Sequence, residues 1–236
     1  MTTVVLRILM FTLLPVILAW LAIQLDKSAD SSQRRLEVVL ILLFAIGVAG
    51  NGIFSFFGHL FLSDIVAESI GWQAGSPFQL EMGFANLAIG VLGLVAVGRR
   101  DGFREATVIA ATILGVGATV VHLMDILTAG NLAPGNTLQN VGNLARPALL
   151  IWGLTASRRA EASARYEGGP ADIERWREPF VKSSGPVTAT IATAYAVGFA
   201  TGHLWLASLV GAAIGFAILT FSIAQSPGHS LDLGRR

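Results

Sequence analysis

The chain has 236 residues, 53% of them apolar and only 13% charged, with a mean hydropathy of +0.66. A soluble domain carries about 25% charged residues, so an ordinary water-soluble globule is excluded, and no basic patch interleaved with aromatics points to nucleic acid. The lack of cysteine removes disulfides, thiolate metal sites, iron–sulfur clusters and cysteine nucleophiles together.

A helix needs about 20 apolar residues to cross roughly 30 Å of hydrocarbon. Val4 to Leu25 meets this as an uncleaved first helix; its run is long for a signal-peptide core, and no small-residue cleavage site precedes Lys27. Leu36 to Phe61 and Ala106 to Ala129 meet it too, while Gly83 to Gly98 and Val141 to Ser157 are shorter. Pro186 to Ala224 is too long for one crossing and reads as two helices turning near Gly202 and His203. The expected fold is all-α, a polytopic transmembrane helix bundle of about seven spans. It divides into an N-terminal helix and linker (1–35), a four-span core (36–158), a basic linker (159–185) and a C-terminal hairpin with its tail (186–236). A short amphipathic helix is expected in the basic linker, around Ala171 to Phe180.

Fourteen of the 16 Lys and Arg residues fall in four places: Lys27 with Arg34 and Arg35, Arg99 to Arg104, Arg158 to Lys182, and Arg235 with Arg236. The alternate connections carry Asp64, Glu68, Glu81 and Asp125, with Arg146 the one base near them. Cytoplasmic loops collect Lys and Arg, so the N-terminus is expected outside and the C-terminus in the cytoplasm, in the inner (plasma) membrane.

On that topology the polar residues of the core align. Asn51, Ser55 and His59 recur every four residues and share a helix face. Gly115, Thr119, His122 and Asp125 fall at i, i+4, i+7 and i+10 on a later span, and Glu81 and Asn86 stand at the outer end of another. Polar groups in lipid face the bundle interior, so His59, Glu81, His122 and Asp125 are expected in one pocket near the outer face, with Arg146 paired to Asp125 or Glu81. Imidazole and carboxylate suit a metal ion, two His can flank a haem, and the same groups can relay protons or bind a small polar ligand. A plain structural network is the competing reading. Asn136 and Asn140, in the amide-rich loop Asn131 to Asn143, either make a turn or line the pocket mouth. Small residues at Gly83, Asn86, Gly90 and Gly93, and a GxxxG at Gly211 and Gly215, are packing signals.

The block Gly58-His59, Ile70-Gly71-Trp72, Gly75-Ser76-Pro77-Phe78-Gln79, Glu81, Gly83 and Ala85-Asn86-Leu87 resembles a family of small four-span prokaryotic membrane proteins of unknown function. His122 and Asn131-Leu132-Ala133-Pro134-Gly135-Asn136 match its later signature, a His followed by an Asn-x-Ala-Pro-Gly-Asn loop. The resemblance covers about residues 36–158. It implies a four-helix unit with packed outer loops, to which the first helix and the hairpin are additions, and it leaves the chemistry open.

Two functions of different class follow. One is a site protein whose pocket holds a metal, haem or small polar ligand. The other is a structural or accessory subunit that packs with partner membrane subunits or further copies of itself. No GxSxG, HExxH or phosphate-binding loop is present to suggest a soluble enzyme class.

Overall fold

The computed structural model describes residues 2–25, 31–166 and 173–224. Lys27, His229, Arg235, Arg236 and residues 167–172 of the basic linker lie outside the described residues. The described residues form helices and no strand. We number the helices α1 (Thr2–Leu25), α2 (Ser32–Phe61), α3 (Ser63–Ile70), α4 (Phe78–Gly98), α5 (Gly102–Ala129), α6 (Pro134–Thr137), α7 (Gln139–Tyr166), α8 (Ile173–Thr201) and α9 (Leu204–Ala224).

Local chemistry sets the ends of these helices. Ser31 accepts from the Arg34 amide at the start of α2, and Asp101 accepts from the Phe103 amide at the start of α5. Such side-chain acceptors satisfy amides that have no partner within the helix. Arg99 donates to the Asp101 carboxylate; this hydrogen bond, followed by the Phe103 amide, holds the carboxyl below its usual pKa. Gly130 closes α5 at φ 68°, and Gly202 makes the α8–α9 turn at φ 74°, a left-handed backbone suited to glycine. The hairpin thus turns at the expected point.

Central in the bundle is α2, with α1, α4, α7 and α8 packed around it. Val38 and every residue from Leu40 to Ile46 are at most 1% exposed; a helix apolar all round belongs in the interior. Both α1 and α2 contain a π-helical stretch, Leu9–Leu13 and Leu43–Gly50, and the two stretches pack on each other. Apolar side chains such as Ile113, Leu127, Leu209 and Phe221 project outward. Helices α1, α2, α4, α5 and α9 are long and apolar enough to cross a membrane. By the same measure α7, interrupted by Arg146, and α8, apolar only from Pro186 on, fall short.

The linker helix expected around Ala171 to Phe180 is, from Ile173, the first part of the long α8 rather than a separate element. The GxxxG is used inside the hairpin. A Cβ on Gly211 would meet Ala194 Cβ at 2.3 Å, and one on Gly215 would meet Ile191 at 3.3 Å. Gly211 and Gly215 therefore serve the close contact between α8 and α9.

Gly52 and Gly90 bring α2 and α4 together. A Cβ on Gly52 would lie 2.6 Å from the Asn86 carbonyl oxygen and 2.7 Å from the Gly90 backbone. Backbone cannot rotate aside as a side chain can, so Gly52→Ala is expected to destabilise by about 1–3 kcal/mol through overpacking. Gly117 has nothing within 4 Å of its would-be Cβ, and Gly117→Ala is expected to be neutral or to gain up to about 1 kcal/mol of helix propensity. Thermal unfolding of the two variants checks this; equal effects would contradict the close approach.

Candidate functional site

The polar side chains gather in three layers. At one end, Glu37 is 1% exposed on α2 and accepts both Nη1 and Nη2 of Arg104 at 2.8 Å and Nε of Arg177 at 2.9 Å. Arg100 stands 3.8 Å from Glu37 and also pairs with Glu161, while Arg158 pairs with Glu105. Arg104 and Arg177 further donate to the Ala96 and Val97 carbonyls at the C-terminal end of α4. Arg100, Arg104, Arg158 and Arg177, from two of the four basic segments, thus meet at one end of the bundle, tied by carboxylates.

At the opposite end the outer loops are clasped by amides. Asp125, near the end of α5, accepts from Trp72 Nε1 at 2.8 Å and from Asn131 Nδ2 at 2.7 Å. Asn131 also donates to the Ile70 carbonyl at 2.9 Å. Asn136 is fully buried; its Oδ1 accepts from His122 Nδ1 at 2.7 Å and its Nδ2 donates to the Asn131 carbonyl at 2.8 Å. Trp72 stacks on the His122 ring at 5.3 Å. Asn140 donates to the Asn136 carbonyl at 3.0 Å. Gly135 lets this loop seat on α3, since a Cβ there would lie 2.5 Å from the Ser69 carbonyl oxygen.

Between these layers lies a third. Arg7 of α1 donates from Nε to Asn51 Oδ1 at 3.2 Å and from Nη2 to Ser55 Oγ at 2.5 Å, both on α2. Its side chain is half-buried, and the guanidinium lies over the Phe54 ring at 5.9 Å. Arg146, 8% exposed on α7, donates to Thr12 Oγ1 at 3.2 Å and to Asn143 Oδ1 at 3.5 Å. Arg146 thus reaches Thr12 on the helix that carries Arg7, which places both bases in one layer. Among the described residues neither meets a carboxylate.

The π-helical stretches position this layer. One follows Arg7 directly and contains Thr12; the other ends where Asn51 begins. A π turn adds a residue to the turn and re-aims the side chains after it, and such turns recur at functional sites. On α7, Pro147 has no amide to give the Asn143 carbonyl, which instead lies where a Cβ on Gly115 would be, at 2.5 Å. That close approach of α5 and α7 holds Arg146 in place.

Of the residues expected in one pocket, His122, Asp125, Asn136 and Asn140 do come together, and Asn51 and Ser55 share a partner in Arg7. His59 does not join the outer clasp; its Nδ1 donates to Gln79 Oε1 at 2.5 Å. Glu81 is exposed at the start of α4, and Asn86 donates back to the Met82 carbonyl at 2.7 Å. No group of three or more His, Asp or Glu able to hold a metal exists among the described residues. His59, Glu81, His122 and Asp125 are therefore not gathered as a ligand set. Nor does Arg146 pair with Asp125 or Glu81: tryptophan and asparagine already satisfy Asp125, and Arg146 turns to α1.

Sequence reasoning passed over Arg7, Glu37, Trp72 and Gln79 as site residues. Arg7 carried a usable signal, an ionisable residue inside an apolar run, which is a functional-site hypothesis by default. Glu37 carried the same one, an acid at the end of a span among basic segments.

No curated protein and no solved structure matches this chain. Residues 6–163 match a family of unknown function, DUF6790. The match begins inside α1, so the first helix is part of the family's unit and not an addition to it, while the hairpin lies beyond. With well over half its length matched, the chain belongs to this family of unknown function, DUF6790.

Proposed function

We propose that the protein is an integral membrane protein that holds a small polar ligand between α1, α2 and α7. Its N-terminus is outside, its C-terminus is in the cytoplasm, and seven helices cross the plasma membrane. The observation that carries this reading is the pair Arg7, half-buried, and Arg146, buried, with only neutral partners among the described residues. A charge withdrawn from water without a counter-charge is costly, and a chain that keeps two such charges in one layer has a use for them. The ligand enters from outside. Thr3 and Arg7, four residues apart, share a face of α1. Thr3 also lines an open depression of about 460 Å³ with Thr2, His203 and Trp205, at the hairpin turn. The clasp of Trp72, His122, Asp125, Asn131 and Asn136 then serves as the lid frame that fixes the outer loops, and the arginine–glutamate layer as the cytoplasmic anchor.

The cysteine-free chain allows a direct test. An impermeant thiol reagent added outside cells is expected to label Ser76→Cys and to leave Gly102→Cys untouched. A small polar methanethiosulfonate added from the same side is expected to reach Ser55→Cys. Labelling of Gly102→Cys from outside would overturn the orientation. A Ser55→Cys thiol inert from both sides would mean a sealed structural network rather than a ligand site.

A further inference from the structure

Taking the chamber as a ligand site, we infer that its ligand is an oxyanion, a phosphate or carboxylate group clasped jointly by Arg7 and Arg146.

The argument starts from how this chain treats its other buried arginines. Arg104 and Arg177 are both bound to Glu37, and the partly buried Arg100 to Glu161. Arg7 and Arg146 break that rule. Each guanidinium carries five N–H donors, and each gives two to neutral oxygens: Arg7 to Asn51 and Ser55, Arg146 to Thr12 and Asn143. The remaining donors and the two positive charges, brought into one layer where Arg146 donates to Thr12 on the helix of Arg7, are unmatched by any carboxylate among the described residues. A cation would be repelled here, and a neutral polar molecule would leave the charge uncompensated. An oxyanion satisfies both charge and donors, because the planar guanidinium fork fits two oxygens of phosphate or carboxylate at once. The neutral hydroxyls and amides hold the guanidiniums in place without competing for the anion as a carboxylate would. A second observation points to the same place: one π-helical stretch contains Thr12, and the other ends at Gly50, next to Asn51.

The same chemistry is available from two sources, a free anion entering from outside and the phosphate of a phospholipid in the outer leaflet. Purified full-length protein distinguishes them. With sodium phosphate replacing sodium chloride at equal ionic strength, a free-anion site raises the unfolding temperature of the wild type. That rise is expected to vanish in Arg7→Gln and Arg146→Gln and to persist in His59→Gln. With a lipid source, native mass spectrometry instead finds a phospholipid retained by the wild type and lost in both arginine variants. If the glutamine variants fail to fold, Arg7→Lys and Arg146→Lys keep the charge and lose the fork. Their apparent affinity for phosphate is expected to fall about tenfold or more, the worth of one hydrogen bond to a charged group. No stabilisation by phosphate or acetate, together with no retained phospholipid, overturns the oxyanion. If Ser55→Cys is nevertheless reached by the small thiol reagent, the chamber stands and only its ligand class falls. If it is not, the chamber falls as well.

Discussion

Glu37→Gln is expected to destabilise the protein by about 3–5 kcal/mol, the cost of leaving buried charge without its partner. The carboxylate is 1% exposed and takes hydrogen bonds from Arg104 and Arg177, with Arg100 a further 1 Å away, at 3.8 Å against 2.8 Å for Arg104. Glutamine keeps the shape and removes the charge, so the loss is electrostatic rather than a cavity. At 3% and 6% side-chain exposure Arg104 and Arg177 have little access to water that could screen their charge. Adding Arg104→Met to Glu37→Gln is expected to recover part of the loss. Thermal unfolding of the single and double variants in detergent checks both statements. A cost below about 1 kcal/mol would show that water reaches this layer and that the ion pairs behave like exposed ones.

The second large effect belongs to the outer clasp. Asn136→Ala removes a fully buried amide that joins His122 to the Asn131 carbonyl. The buried His122 ring and the half-buried Asn131 carbonyl lose their partner together, at about 1–3 kcal/mol for the buried one and less for the other. Asn140→Ala, which removes one donor to the Asn136 carbonyl, is expected to cost clearly less. His122→Ala combined with Asn136→Ala is expected to cost less than the sum of the two singles, because they share one hydrogen bond. Strict additivity would mean that the His122–Asn136 contact does not form.

The helices, their order and the hairpin turn were legible because apolar run length and glycine punctuation are local properties. The asparagine–serine stripe was legible as well, since Asn51 and Ser55 do share a face and a partner. The identity of that partner was not. Arg7 sits in an apolar run, and its partners lie 44 and 48 residues away. Counting charges on one side of a membrane pairs Arg146 with Asp125 or Glu81. Counting ignores that Trp72 and Asn131 can satisfy a carboxylate without any charge, and so leave arginine to turn elsewhere. Arg7 and Arg146 are in fact the two bases that fall outside the four basic segments. Charge alternation made them visible as exceptions, but only the packing of α1 beside α7 shows that the exceptions meet. The four-residue metal set failed for a related reason. Equal depth along separate helices fixes height in the bundle and says nothing of azimuth, and His59 and His122 point to different partners.

The central claim is that Arg7 and Arg146 form a ligand site instead of a salt-bridged network. It is tested most directly by an experimental map of the full-length protein in lipid nanodiscs, resolved well enough to place both guanidiniums. The account predicts density not belonging to the chain, in contact with both. Asn51, Ser55, Thr12 and Asn143 would hold the guanidiniums in place, and Asp125 would stay with Trp72 and Asn131. A map in which Asp125, Glu81 or another carboxylate of the chain binds Arg146, with nothing between the two arginines, would contradict it.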